Sequence, residues 1–446
     1  MRKKKFFSHA TLIIMATFFL IGSFLLLGSF AQEIKKPQER PLSSPVIDTE
    51  KDNVVASVSF RAPIADTSKK ICPRGRKLVV DAVKGPFITI QYAINAASDG
   101  DTIEVMPGTY PGFQVLSRRC LKIRAKPKKS QNVIVNGSVT VPTYRGPYKT
   151  TIGVVDSTEI EISNFIVTAG ITDPLTIAYF NSTGKVEHNS VSGNTGNANP
   201  GNGIAAFGII SPGTVEIEHN YIYDYGKIGI LVNSWNGDIS VPGGIHAEIK
   251  HNTIVGTDFA DLYRVQDGIQ VTYGGSADIE DNNISGNFQT GGSYWTCDGI
   301  MAYDAHQVRT KENKIYNNQM GIAIQYYGYD AKLDHDDLED NEWGLYTWNW
   351  VQSTIEVRHA KIKGNEYGWV NWDTNGIVFG HCDLEKNMFG LWASAYLTTN
   401  PTAYFNYCKI TKNTDTDVTH GSNTLIFFKT KYDTYINLGG GILIEN

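Results

Sequence analysis

Two short elements recur along this chain, and their spacing leaves few folds open to it. The first is an anchor in an Ile/Val/Thr-rich context: Asn164, Asn189, Asn220, Asn252, Asn282, Asn313, Asp336, Ala360, Cys382 and Cys408, at intervals of 25, 31, 32, 30, 31, 23, 24, 22 and 26 residues. The second is a Gly followed by Ile, Leu or Trp, at Gly203, Gly229, Gly268, Gly299, Gly321, Gly344, Gly368 and Gly390. The gap from first to second is 8 or 9 residues in the coils of Asn220, Asn313, Asp336, Ala360 and Cys382, and 14, 16 and 17 in those of Asn189, Asn252 and Asn282. A unit of about 22 residues with insertions at one fixed point, β-rich and without helical periodicity, predicts a solenoid whose coils stack over a shared core. A recurring Asn suits a tight bend, because it tolerates the left-handed conformation and its amide can bond to the copies above and below.

Stacking converts sequence offset into spatial adjacency, one strand spacing of about 4.8 Å per coil. Counted from the Gly, offsets +1 and +3 are apolar (Ile269/Val271, Ile300/Ala302, Ile322/Ile324) and should point inward. Offsets −1, +2, +4 and +5 should face out or sit at the bend. Offset −1 places Asp267 on Asp298. Offset +4 reads Thr272, Tyr303, Gln325, Trp348, Trp372, and +5 includes Tyr273, Asp304 and Tyr326. Asp267, Asp298, Tyr303, Asp304 and His306 should therefore share one strip. The long segments 193–202, 235–245, 257–266 and 286–297 should wall it, since loops long at the same place in several coils are more often functional than accidental. Either Asp alone is equally well read as a bend cap, Asp-Gly being a common turn pair. Trp348 and Trp372 are expected outward as a platform for sugar rings, and Trp369 and Trp392 in ordinary packing. His188, His219, His251, His335, His359 and His381 lie within two residues of the first anchor and read as turn residues; His306 breaks that pattern.

This organisation resembles the right-handed parallel β-helix of the pectin-lyase-like superfamily over roughly residues 76–446. The implied fold class is all-β, a single-stranded right-handed parallel β-helix of ten or more coils. The segment Val79 to Tyr110, strand, short helix with Ile90, Ala93, Ile94 and Ala97 on one face, then strand at Thr102 to Val105, resembles the superfamily's capped entrance, which would cover the open first coil. Tyr303-Asp304-Ala305-His306 resembles the Asp-Pro-His element of mannuronan C5-epimerases and related alginate-acting β-helix proteins, with Ala305 in place of Pro. The resemblance implies His306 as base, Tyr303 as proton donor and Asp304 as assistant in lyase or C5-epimerase chemistry on a uronate-type polysaccharide. Arg264 or Lys227 would clamp the substrate carboxylate, and Tyr273, Gln325, Tyr326, Trp348 and Trp372 would line the substrate path. Calcium on Asp267, Asp298 and Asp304 is the alternative to a cationic clamp. Two other readings stay open: an inverting glycoside hydrolase using Asp267, Asp298 and Asp304, and a non-catalytic carbohydrate-binding or structural solenoid.

A net charge of −5 over 446 residues leaves no footprint for nucleic acid. Arg2 to Lys5, the apolar run Thr11 to Phe30 and small residues up to Ala31 read as a secretory signal, 1–31, the alternative being an uncleaved anchor. Residues 32–75 read as a disordered linker or pro-segment, and the whole as a secreted or cell-surface monomer. In an exported chain Cys72 and Cys120 would staple the cap. Cys382 and Cys408 fall in one column and are either bridged or a reduced buried pair, and Cys297, with no activating base around it, is left over.

Overall fold

The structure, a computed structural model, describes residues 72–127, 132–143, 146–170, 172–193, 201–208, 213–234, 244–257, 265–288, 296–325, 330–348, 354–395 and 401–445. The segments 1–31 and 32–71 lie outside it, as do Arg264, Tyr326 and most of the four long segments expected to wall the strip. No helix among the described residues is long and apolar enough to cross a membrane.

Strands pair in parallel with the equivalent strand one coil away in three sheets of 15, 13 and 14 strands, the first sheet extending beyond the other two at its ends and the third including one antiparallel strand, Val139–Thr143. One such coil runs Gln307–Lys311, Lys314–Tyr316 and Met320–Gln325. The chain is therefore the expected parallel β-helix. Its core is a continuous column of inward Ile, Val, Leu and Phe, including Ile269, Val271, Ile300, Ile322 and Leu345. The helix Ile90–Ala96 buries Ile90, Ala93 and Ile94 and is capped by Thr89, whose side chain accepts from the Tyr92 amide. It packs on the first strands of the first and third sheets, where an uncovered coil would expose core. Cys72 is disulfide-bonded to Cys120, which ties residues 72–75 to this cap.

Between the first and second sheets runs the expected amide ladder. Asn189 donates from N and Nδ2 to Asn220 Oδ1 at 3.0 and 3.1 Å, and the pattern repeats through Asn252, Asn282 and Asn313 to Asp336. Two details differ from the expectation. The left-handed residue is not the Asn but the one before it: His188, His219, His251, Asp281, Glu312, His335, His359 and His381 all have φ near +55°. The Asn side chain thus points inward while its exposed predecessor makes the turn. By the same register Asn164, with φ +65°, belongs to the predecessor column, and the anchor is Phe165, whose amide donates to Asn189 Oδ1 at 3.0 Å. Ala360, Cys382 and Cys408 continue the column as buried apolar rungs, the two thiols unbridged.

A second ladder of Asn287, Asn318, Asn341, Asn365, Asn387 and Asn413 closes the turn into the third sheet. Its signal, an Asn three residues before Gly321, Gly344, Gly368 and Gly390, is present in the sequence.

Candidate functional site

The outer face of the third sheet carries the residues in question. Register confirms the columns: Ile228 pairs with Asp267, Asp298 with Met320, Thr272 with Tyr303, Tyr303 with Gln325, Gln325 with Trp348, and Trp348 with Trp372. At the N-terminal end a hairpin, Val139–Thr143 against Gly146–Val155, folds over this face. Its Val141 closes with Phe180, Phe207, Ile228 and Leu231 into an outer apolar cluster. Because Ile228 belongs to that cluster and not to the main core, the column it shares with Asp267 and Asp298 faces outward.

Burial alternates along the Tyr303 bend. Tyr303 and His306 are half-buried, whereas Ala305 is buried in the main core, which accounts for a small apolar residue between the two polar ones. Asp304 takes the left-handed turn at φ +56°. Its Oδ1 is buried without a hydrogen-bond partner among the described residues, and burial raises its pKa. Tyr303 is likewise raised, by burial and then by the neighbouring Tyr273 and Asp304. The preceding rung carries Gly274 and Gly275 opposite Ala305 and His306, and the His306 amide donates to Gly275 O at 2.9 Å. Tyr273 sits left-handed at φ +49° and 45% exposed, its ring edge-on to Tyr303 at 6.1 Å. A ring in that conformation is unusual and costs backbone energy, a feature that clusters at functional positions.

Asp267 and Asp298 begin the same strands that Thr272 and Tyr303 end. Asp298 N donates to Asp267 Oδ1 at 3.2 Å. Neither oxygen of Asp298 has a partner at hydrogen-bond geometry among the described residues, although the Thr296 hydroxyl favours its charged form. Burial pushes both carboxyls up, Asp267 to about 7, and each raises the cost of ionising the other. Between Asp298 and Asp304 the chain runs along the strand at about 3.3 Å per residue, so the two polar groups lie at opposite edges of one face. Asp267 and Asp298 thus lie at one edge of this face, and Tyr303, Asp304 and His306 at the other.

Sequence reading missed a neighbouring column, at offset −2. Gln266 N donates to Cys297 Sγ at 3.2 Å and Cys297 N to Gln319 Oε1 at 3.1 Å. Below them stand Glu342, pushed by burial and by Glu366 to about 7, and Glu366, also raised by burial. The thiol of Cys297 is pushed up by burial, which makes it a packing group. Lys227 tops this column, exposed, and its charge opposes the shift of Asp267; that places it with the Asp pair rather than with His306. Trp348 and Trp372 are half-buried in the outward column. Trp369 is in the core, donating Nε1 to Thr347 Oγ1 at 3.0 Å, and Trp392 packs edge-on to Tyr367 and Phe389.

A family described as right handed beta helix region matches residues 236–356. No curated protein matches the chain. Among solved structures it is similar to an alginate lyase from Paenibacillus sp. str. FPU-7, at 15% identity and TM-score 0.40 over 65% of this chain and 94% of that one. It is similar also to the A-module of Azotobacter vinelandii mannuronan C-5 epimerase AlgE4, at 13% and 0.38 over 80% and 92%. A third likeness is to the catalytic unit of a GH87 alpha-1,3-glucanase from Streptomyces thermodiastaticus strain HF3-3, at 13% and 0.44 over 83% and 69%. Likeness at this level says nothing about the chemistry of this chain. The family match and the three parallel sheets agree on the architecture: the chain is a right-handed parallel β-helix.

Proposed function

We propose that this protein acts on a uronate-type polysaccharide lying across the outer face of the third sheet, by lyase or C5-epimerase chemistry centred on Tyr303, Asp304 and His306. The observation that carries the reading is the bend itself, which turns Tyr303 and His306 outward around an inward Ala305, with Tyr273 edge-on to Tyr303 in the preceding rung. His306 takes the C5 proton. Tyr303 gives its proton either to the leaving oxygen, as the C4–O bond breaks and a C4–C5 double bond forms, or to the opposite face of C5. Burial raises the pKa of Asp304; in its protonated form it would donate to the substrate carboxylate and so stabilise the carbanion-like transition state. Tyr273, Trp348 and Trp372 line neighbouring rungs as sugar subsites, whereas Gln325, expected beside them, is buried. The Cys72–Cys120 disulfide suits an oxidising, extracytoplasmic setting.

A second reading rests on Asp267 and Asp298, whose raised pKa values retain a proton near neutrality, as the general acid of an inverting hydrolase requires. Adjacent rungs about 4.8 Å apart are closer than the roughly 6.5–9.5 Å such a pair normally spans, which places this reading second. The purified protein incubated in heavy water with alginate, polygalacturonate and a neutral glucan separates the two. New unsaturated-uronate absorbance identifies a lyase, deuterium at C5 without cleavage an epimerase, and new reducing ends alone a hydrolase. Binding with no turnover would refute both.

A further inference from the structure

The left-handed predecessor residues form an exposed axial row outside the Asn ladder. His188, His219 and His251 stack at 4.9 and 4.8 Å, and His335, His359 and His381 at 4.4 and 5.5 Å. Asp281 and Glu312 occupy the two rungs between. At one place the row acquires a shared carboxylate: Asp334 Oδ1 lies 3.0 Å from His335 Nδ1 and 3.0 Å from His359 Nδ1.

From this juxtaposition we infer that Asp334, His335 and His359 form a binding site for a first-row divalent transition ion of the zinc or cobalt kind, bridging two coils. Nitrogen and oxygen ligands at about 2.0–2.1 Å from such an ion stand roughly 2.9–3.4 Å apart at right-angled to tetrahedral geometry; the two nitrogen–oxygen spacings of 3.0 Å already fall there, and all three ligand atoms lie within 4.8 Å of one another. Two imidazoles and one carboxylate suit zinc, cobalt, nickel or copper rather than calcium or magnesium. The backbone is pre-set: Asp334 pairs with Arg358 in the parallel ladder, and φ values of +57° and +52° fix the exit directions of His335 and His359. For both ring lone pairs to converge, the stacked rings must tilt toward each other. Their side chains are 51% and 44% exposed, which leaves room to do so. Three protein ligands leave the remaining positions to water.

The rest of the row supplies the comparison. His188 and His251 meet carboxylates at only 3.8 Å, each a different one. The all-oxygen group Glu280, Asp281 and Glu312 already faces Lys311, at 3.1 Å from Glu280 and 3.4 Å from Glu312, and is not proposed. Around the site stand Glu312 one rung above, His381 one rung below and Arg358, whose guanidinium is drawn to Glu356 at 3.4 Å. Protons compete for the same imidazole nitrogens, so affinity should fall as pH drops.

The test is calorimetry with Zn2+ and visible absorption with Co2+ on the metal-free full chain, comparing wild type with His335→Asn, His359→Asn and Asp334→Asn. Asn is chosen at the two histidines because it tolerates the left-handed backbone. One equivalent should bind, each substitution should weaken it tenfold or more, and His188→Asn with His219→Asn should leave it unchanged. Independently of any variant, copper-driven oxidation of the wild type followed by mass spectrometry should mark His335 and His359 first. Unchanged affinity in the His335→Asn/His359→Asn double variant, or oxidation concentrated elsewhere, would overturn the site.

Discussion

The inner and outer polar columns of this helix use one device, identical side chains stacked coil on coil, to opposite ends. In the Asn ladder a buried side chain accepts from the rung before it and donates to the rung after. Asn282, for example, receives the Asn252 amide at 2.9 Å and bonds on to Asn313 and Ile249 O at 3.0 and 2.8 Å. On the outer face Asp267 and Asp298 are as deeply buried, yet two stacked carboxylates can only accept, and ionising both sets like charges together. A satisfied column stabilises a turn; an unsatisfied one costs stability and stores proton affinity.

Activity offers the sharpest break between the two. His306→Ala or Tyr303→Phe should lower turnover on the active uronate by about 10²–10⁴-fold while the melting temperature stays within a few degrees. Equal loss of fold and function would put the bend in the architectural class. The reverse outcome is expected inside. Asn282→Ala leaves the Asn252 donors and Ile249 O unmet and should cost about 2–4 kcal/mol, read by denaturant unfolding, with turnover per folded molecule unchanged.

The contrast also tracks what was legible in the sequence. Periodicity and parity located the coils, the cap helix, the inward and outward columns and the stacking of Asp267 on Asp298, because register is fixed wherever one face is buried. Which residue of each bend turns left-handed was misassigned to Asn, since His, Asp, Glu, Tyr and Lys all fill the predecessor position (Lys412 and Tyr407 among them) and none announces it by type. The second Asn ladder was overlooked although its Asn-x-x-Gly spacing is regular. The separation of the Asp pair from His306 was invisible to column counting, which places residues on a face without measuring along it. Glu342 and Glu366 were missed because offset −2 changes type at nearly every rung.

Asp298→Asn weighs the outer pair directly. Both carboxyls have folded pKa values above the unfolded one, so the native state holds the extra protons. Its stability is full below about pH 4 and declines as pH rises toward about 7. Removing one member should therefore leave stability near wild type at pH 5 and raise it at pH 8, by about 1–3 kcal/mol. A loss of similar size at both pH values would instead make Asp298 a bend cap.

The smallest effect tests whether bonding, and not residue type, separates the columns, because the chain has placed a carboxylate in the inner ladder itself. Asp336 Oδ1 accepts from N and Nδ2 of Asn313 at 3.0 and 2.9 Å, and Oδ2 accepts from the Thr310 hydroxyl. Burial raises its pKa to about 6, held back by those same donors. As with the outer pair, the folded pKa lies above the unfolded one, and stability falls as pH rises from about 4 to 6, by on the order of 2 kcal/mol. Asp336→Asn should flatten that window. It retains the acceptor for Asn313 but loses the one for Thr310, since an amide nitrogen cannot accept, and the two changes should leave stability at pH 8 within about 1 kcal/mol of wild type. Unfolding curves at pH 4, 5, 6 and 8 measure both numbers. If the slope between pH 4 and 6 survives the substitution, the titrating group lies elsewhere, and the comparison between a carboxylate inside the amide ladder and the stacked outer pair loses its internal control.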